Sequence, residues 1–294
     1  MATKPRYIMV GGFLGAGKTT ALLRLAERFR DSGQRVGLIT NDQSVGLVDT
    51  AMLAAHDFPV EEITGGCFCC KFGSLTDAAE KLTEAEKPDV FLAEPVGSCT
   101  DLTATVSYPL RRLYGDNFSL SPFSVLIDPV RAERILGLAS GKSFSPKVVY
   151  IYKKQLEEAD VIVVNKIDTL DDARTSKLLA KLKAEYPKAK VVTLSARHGT
   201  NLDAWAELIE AVDLPAGTAM DIDYDTYAEG EALLGWLNAT VRFSSDTGLD
   251  GNAVLTHLAH HLGGRLATAG AEVAHLKMTL SPEQGNDIAV INLT

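Results

Sequence analysis

One stretch constrains this chain more than any other: Gly12-Phe13-Leu14-Gly15-Ala16-Gly17-Lys18-Thr19, which has the spacing G-x-x-x-x-G-K-[ST]. Before it, Arg6-Tyr7-Ile8-Met9-Val10 is a short apolar run that reads as a buried strand. After it, Thr20 to Arg30 carries Leu22, Leu25, Ala26 and Phe29 on one side and reads as a helix. A strand, a glycine-rich turn and a helix in that order turn backbone N–H groups inward at a helix N-terminus, where negative charge is favoured. Gly12, Gly15, Ala16, Gly17, Lys18, Thr19 and Thr20 are therefore expected to wrap a phosphate chain. Lys18 would reach the β- and γ-phosphates, and the Thr19 hydroxyl would complete a Mg²⁺ shell. The spacing predicts a nucleoside-triphosphate site.

The chain then alternates apolar runs with helical periods. Strands are expected over 34–40, 88–93, 124–127, 160–164 and 190–194. Helices are expected over 75–82, 131–138, 178–186 and 202–212, with the end of another at 155–159, while 43–59 reads as irregular. This order predicts an α/β fold, a P-loop NTPase with a mainly parallel sheet and right-handed crossovers, over residues 1–212. An acidic linker over 213–232 and a small α+β unit over 233–294 complete the chain. Within that unit, strands are expected at 239–243, 272–280 and 288–293, with a helix over 252–262.

Ligands of a parallel sheet sit beyond the carboxyl ends of its strands, so the strand-end residues define the candidate site. Asp42 and Glu94 end two strands and, with Lys18, are the candidate catalytic residues. Both carboxylates would address the Mg²⁺ water shell, and Asp42 could instead orient the attacking water. Gly97, in Glu94-Pro95-Val96-Gly97, would offer its N–H to a phosphate oxygen. Asn165-Lys166-Ile167-Asp168 ends another strand, and a carboxylate at Asp168 can accept from both the ring N–H and the exocyclic amine of guanine. Adenine offers neither donor there, and a site built this way can discriminate by about 10⁴ or more. Asn165 would brace neighbouring loops and the Lys166 stem would lie over the base. Ser195-Ala196-Arg197, at the next strand end, would present a backbone N–H to the guanine oxygen.

The four cysteines are Cys67, Cys69, Cys70 and Cys99. Three thiols within four positions make a poor disulfide framework and a good set of ligands for Zn²⁺ or Cu⁺. The alternative is a group of small buried hydrophobes. Cys99 is open to both readings, a fourth thiolate or a plain buried cysteine. His257, His260 and His261 share one flank of a helix and could share a metal, though solvated positions suit them better. The net charge of −9 and pI of about 5.2 argue against nucleic acid or anionic lipid as partner. The chain shows no signal-peptide pattern and no membrane-length apolar run, so a cytoplasmic location is expected.

In their order, G-G-F-L-G-A-G-K-T-T, G-G-C-F-C-C, E-P-V-G and N-K-I-D resemble the CobW-type metallochaperone GTPases. Relatives of that family include the nickel-delivery GTPases of urease and hydrogenase maturation. The resemblance runs roughly from Tyr7 to Val212. It implies a GTPase with GTP and GDP as ligands, Mg²⁺ at the phosphates, and a metal, zinc foremost, at Cys67, Cys69 and Cys70. It also implies delivery of a metal or metal cofactor to a client protein, with a homodimer as a further option. Two stretches depart from the family. Asn41-Asp42-Gln43-Ser44 is nearer the nickel-GTPase T-N-D wording, and the final segment lacks a long histidine-rich tract. Two competing readings are a nucleotide-switched interaction protein with structural cysteines and a P-loop small-molecule kinase.

Overall fold

The computed structural model describes residues 4–42, 53, 56–64, 68, 72–114, 117–141, 144–211, 220–235, 237, 239–245, 248–282 and 288–293. Its centre is a parallel sheet in the order β3-β2-β4-β1-β6-β7-β8. The strands are β1 (Arg6–Gly12), β2 (Val36–Asp42), β3 (Val60–Thr64), β4 (Val90–Glu94), β6 (Ser124–Ile127), β7 (Val161–Val164) and β8 (Lys190–Thr193). The short β5 (Ser119–Leu120) pairs with the start of β1.

Both faces of the sheet are covered, and the period-two alternation of the strands decides which residue goes where. Tyr7, Met9, Phe91, Ala93, Ile162 and Val164 enter one hydrophobic layer. Ile8, Val10, Val90, Leu92, Val161 and Val163 enter the other. The first layer is closed by α2 (Phe72–Glu86), α5 (Pro146–Glu158) and α6 (Asp172–Glu185), through residues such as Leu82, Ile151 and Leu182. The second is closed by α1 (Lys18–Asp31) and α7 (Leu202–Glu210), through Leu22, Phe29 and Trp205. Burying side chains such as Phe29 contributes roughly 1.5–3 kcal/mol each. The buried Trp205 indole still donates to Ser124 Oγ at 3.1 Å, so its polar edge is satisfied.

Two further helices, α3 (Tyr108–Tyr114) and α4 (Pro129–Ile135), complete this part. α4 has proline at its first position and the Asp128 side chain accepting the Arg131 N–H at 2.9 Å.

Several expectations are corrected. The sheet gains β3, which falls just beyond the stretch read as irregular, and α2 runs longer at both ends than expected. The segment read as a linker contains α8 (Tyr224–Ala232), whose alternating acids serve as a cap: Asp223 accepts from the N–H groups of Asp225 and Thr226. That helix docks on α5 through Lys147–Glu229 and through the Tyr150 hydroxyl, which accepts the Asp223 N–H. Residues 239–243 carry no strand, and Val241 and Phe243 are exposed. Their alternation is apolar, but no described neighbour pairs with it.

Toward the end of the chain lie α9 (Gly251–Thr268), β9 (Lys277–Leu280) and β10 (Ala289–Asn292), the last two forming an antiparallel pair. The buried side of α9 is Leu255 and Ala259, whereas Leu258 and Leu262 are exposed. None of the described helices is long and apolar enough to cross a membrane.

Candidate functional site

β1 lies at the middle of the sheet, with β4 on one side and β6 on the other, so its carboxyl end is where a ligand crevice opens. The phosphate loop leaves the sheet there and enters α1 through Gly17. That residue has φ 87°, and a Cβ on it would lie 2.6 Å from Asn165 Nδ2. Lys18 and Thr19 are buried at the helix start. The Thr19 hydroxyl donates to Glu94 Oε1 at 3.2 Å, and Lys18 Nζ lies 3.9 Å from the same oxygen. A hydroxyl and a carboxylate thus converge beside a buried ammonium, and hard oxygen donors of this kind suit Mg²⁺. Thr20 follows on α1.

The loop after Glu94 closes on the phosphate loop. A Cβ on Gly97 would come 3.0 Å from the Leu14 nitrogen and 3.0 Å from Lys18 Nζ, so only glycine leaves that approach open. Gln155 of α5 holds the loop from behind. Its Nε2 donates to the carbonyls of Gly97 at 3.0 Å and Cys99 at 2.8 Å. Glu158, one turn further on, accepts from Thr100 Oγ1 at 3.3 Å and from the Thr103 N–H at 3.2 Å. Burial pushes the Glu158 carboxyl up to about 8, against the pull of these hydrogen bonds. Tyr224 of α8 donates to Asp101 Oδ2 at 2.5 Å in the same loop.

The residues expected to read the base form a second cluster. Asn165 is buried after β7; its Nδ2 donates to the Ala16 carbonyl at 2.9 Å, and its Oδ1 accepts the Ala196 N–H at 3.0 Å. Of the backbone N–H groups in Ser195-Ala196-Arg197, that of Ala196 is donated to Asn165 in this structure. Lys166 has φ 54° and pairs with Asp128 Oδ2 at 3.0 Å. The Ser195 hydroxyl donates to Asp168 Oδ1 at 2.5 Å and holds that carboxyl below the usual carboxylate range. An ionised carboxylate is what a reader with two acceptors requires.

Cys67, Cys69 and Cys70 lie outside the described residues, as does the side chain of Asp42, whose backbone ends β2. Phe68, between the first two cysteines, is described. Its side chain is fully buried and its N–H is donated to Asn41 Oδ1 at 2.9 Å. Asn41 Nδ2 in turn donates to the Ile63 carbonyl at 3.1 Å. Cys99 is buried. His257, His260 and His261 are exposed, and among the described residues no group of three or more His, Cys, Asp or Glu could hold a metal ion.

Sequence reasoning missed Asn41, Gln155, Glu158 and Arg131. Gln155 and Glu158 carried a usable signal. They lie on the side of α5 that also buries Val148, Ile151 and Tyr152, and polar groups on an apolar face require partners.

A family model described as the CobW/HypB/UreG nucleotide-binding domain matches residues 6–193. The chain is 33% identical over 170 residues to the zinc chaperone YeiR of Escherichia coli (strain K12), covering 55% of this chain and 47% of that protein. It is 28% identical over 182 residues to the zinc chaperone CobW of Sinorhizobium sp, covering 55% of this chain and 51% of that one. The chain thus spans about half the length of these curated relatives. In fold it is similar to HypB from Helicobacter pylori in complex with nickel. The TM-score is 0.51 at 18% identity, over 73% of this chain and 92% of that one. The chain belongs to the CobW/HypB/UreG family.

Proposed function

We propose that this member of the CobW/HypB/UreG family is a GTP-hydrolysing metallochaperone that carries zinc at Cys67, Cys69 and Cys70 and delivers it to a client protein. The observation that carries the nucleotide half is the pair of hydrogen bonds made by Asn165. One side chain ties the phosphate loop at Ala16 to the Ser195-Ala196 loop, so phosphate binding and base reading form one site.

In this reading Lys18 neutralises the β- and γ-phosphates, and the loop N–H groups hold them in line. Thr19 and Glu94 would hold Mg²⁺, which supplies charge compensation at the phosphates when bound. Gly97 meets the γ-phosphate with its backbone, and Gln155 keeps that loop in place. Asp42, at the end of β2, orients the water that attacks the γ-phosphorus as the bond to the β-phosphate oxygen breaks. Asp168, assisted by Ser195, reads guanine.

The metal half is supported by the three thiols, by the relatives named zinc chaperones, and by Asn41, which pins the middle of the cysteine motif to the end of β2. The zinc is cargo, taken up as thiolates lose their protons. The deciding experiment measures GDP and ADP binding together with zinc content, on protein purified without an affinity-tag metal. Preference for GDP and about one zinc per chain, lost when the three cysteines are changed to serine, is the expected result. Equal affinity for GDP and ADP, or zinc content indifferent to the cysteines, refutes the reading.

A further inference from the structure

Arg131 stands in the first turn of α4, and its guanidinium joins two distant parts of the chain. Nη1 donates to the carbonyl of Leu14 inside the phosphate loop, and Nη2 donates to the carbonyl of Ala274 at 3.0 Å, just before β9. Its Cζ lies 5.6 Å from the ring centre of Phe13 and 5.2 Å from that of Phe144. The Asp128 carboxylate accepts its backbone N–H and also pairs with Lys166. The cation is half-buried and held by hydrogen bonds, by aromatic rings and by a nearby carboxylate.

Leu14 is a consequential place to hold. Its nitrogen faces Gly97 while its carbonyl faces Arg131. The Leu14 carbonyl and the Gly15 N–H belong to one planar trans peptide and point in opposite directions. Drawing the carbonyl toward Arg131 therefore turns the Gly15 N–H away from the guanidinium.

We propose that Arg131 is a positioning residue that fixes the Leu14–Gly15 peptide with its N–H toward bound phosphate, and so makes nucleotide affinity depend on the seating of the segment around Ala274. The inference rests on the phosphate-loop half of the proposed function, and not on which base is read. Linkage requires reciprocity: if that segment tightens nucleotide binding, nucleotide must hold the segment more firmly by the same factor. A lysine at this position keeps the charge but cannot span both carbonyls as a planar fork does.

The test uses the full chain and its Arg131→Lys variant, with a fluorescent GDP to measure affinity. Amide hydrogen exchange across 271–276 is followed with and without GDP. Arg131→Lys should weaken GDP about 10-fold, within the ordinary range of coupling, with an unchanged circular dichroism spectrum. GDP should slow exchange across 271–276 in the unmodified chain and leave it unaffected in the variant. An affinity within about twofold of the unmodified chain, or exchange indifferent to GDP in the unmodified chain, overturns the proposal. The exchange measurement needs no variant and stands even if Arg131→Lys fails to fold. Should the chain take adenine nucleotides instead, guanine reading fails, and the same measurements with ADP still decide the role of Arg131.

Discussion

Asn41 Oδ1 accepts the backbone N–H of Phe68 at 2.9 Å, which joins the end of β2 to the middle of Cys67-Phe68-Cys69-Cys70. Asp42 is the next residue along β2, so a change at the phosphate end of that strand is one residue from a bond to the cysteine motif. Metal and nucleotide should therefore be coupled. Zinc affinity should differ between the GDP state and a non-hydrolysable GTP analogue by roughly 5- to 150-fold, and should fall as pH drops and the thiolates are protonated. A competition titration with a chromogenic chelator measures it. Asn41→Ala should shrink the difference and cost about 1–3 kcal/mol of stability, because the buried Phe68 N–H loses its acceptor. Equal zinc affinity in both nucleotide states would mean two unconnected sites.

Base choice is the second expectation. Asp168→Asn should weaken GTP and improve xanthosine triphosphate, whose base presents a carbonyl where guanine has its amine. Ser195→Ala should weaken GTP more mildly and bring no gain for xanthosine triphosphate, since it removes the hydroxyl that holds Asp168 but leaves an acceptor-only carboxylate. Competition between the two nucleotides in a filter-binding assay reads this. Unchanged preference in Asp168→Asn removes that residue from base recognition.

Hydrolysis by the protein alone should be slow, about 10⁻⁴ to 10⁻² s⁻¹, as in sites lacking a complete set of water-positioning and arginine groups. Lys18→Ala should remove most of it while leaving the circular dichroism spectrum intact. Phosphate release under single-turnover conditions is the measurement, and rapid turnover without metal or client would reveal a catalytic group unaccounted for.

Stability should carry a signature of Glu158. Burial raises its folded-state value to about 8, above that of an unfolded chain, so folding retains its proton. The stabilising contribution is complete below the ordinary carboxylate range, declines as pH rises, and is gone once pH passes about 8. Glu158→Gln, neutral throughout, should gain on the unmodified protein across that window. Urea denaturation at several pH values compares them; a difference that does not vary with pH would show that folding leaves the Glu158 carboxyl unshifted.

The sequence by itself determined the parts whose chemistry is local. A phosphate loop needs its glycines, Lys18 and Thr19 within one turn between a strand and a helix, and those residues are contiguous. The strands β1, β4, β6 and β7 are apolar runs because both their faces are covered. The position of Asn165 to Asp168 was legible for the same reason, being four consecutive residues directly after the apolar run of β7. The edge strand β3 was not. Val60-Glu61-Glu62-Ile63-Thr64 has only one buried apolar side chain among its described residues, and β2 is what makes it a strand. The alternation over 239–243 failed in the opposite way, since a period of two without a hydrogen-bonding neighbour does not make a strand.

Only the tertiary structure decided which side chains hold the site together. Gln155 reaches Gly97 across 58 positions, and Arg131 reaches Leu14 across 117. These partners meet because the strand order places β4 and β6, and so the segments that follow them, on either side of β1. That order follows from which apolar faces pack together over the whole chain, and no local spacing of residues encodes it.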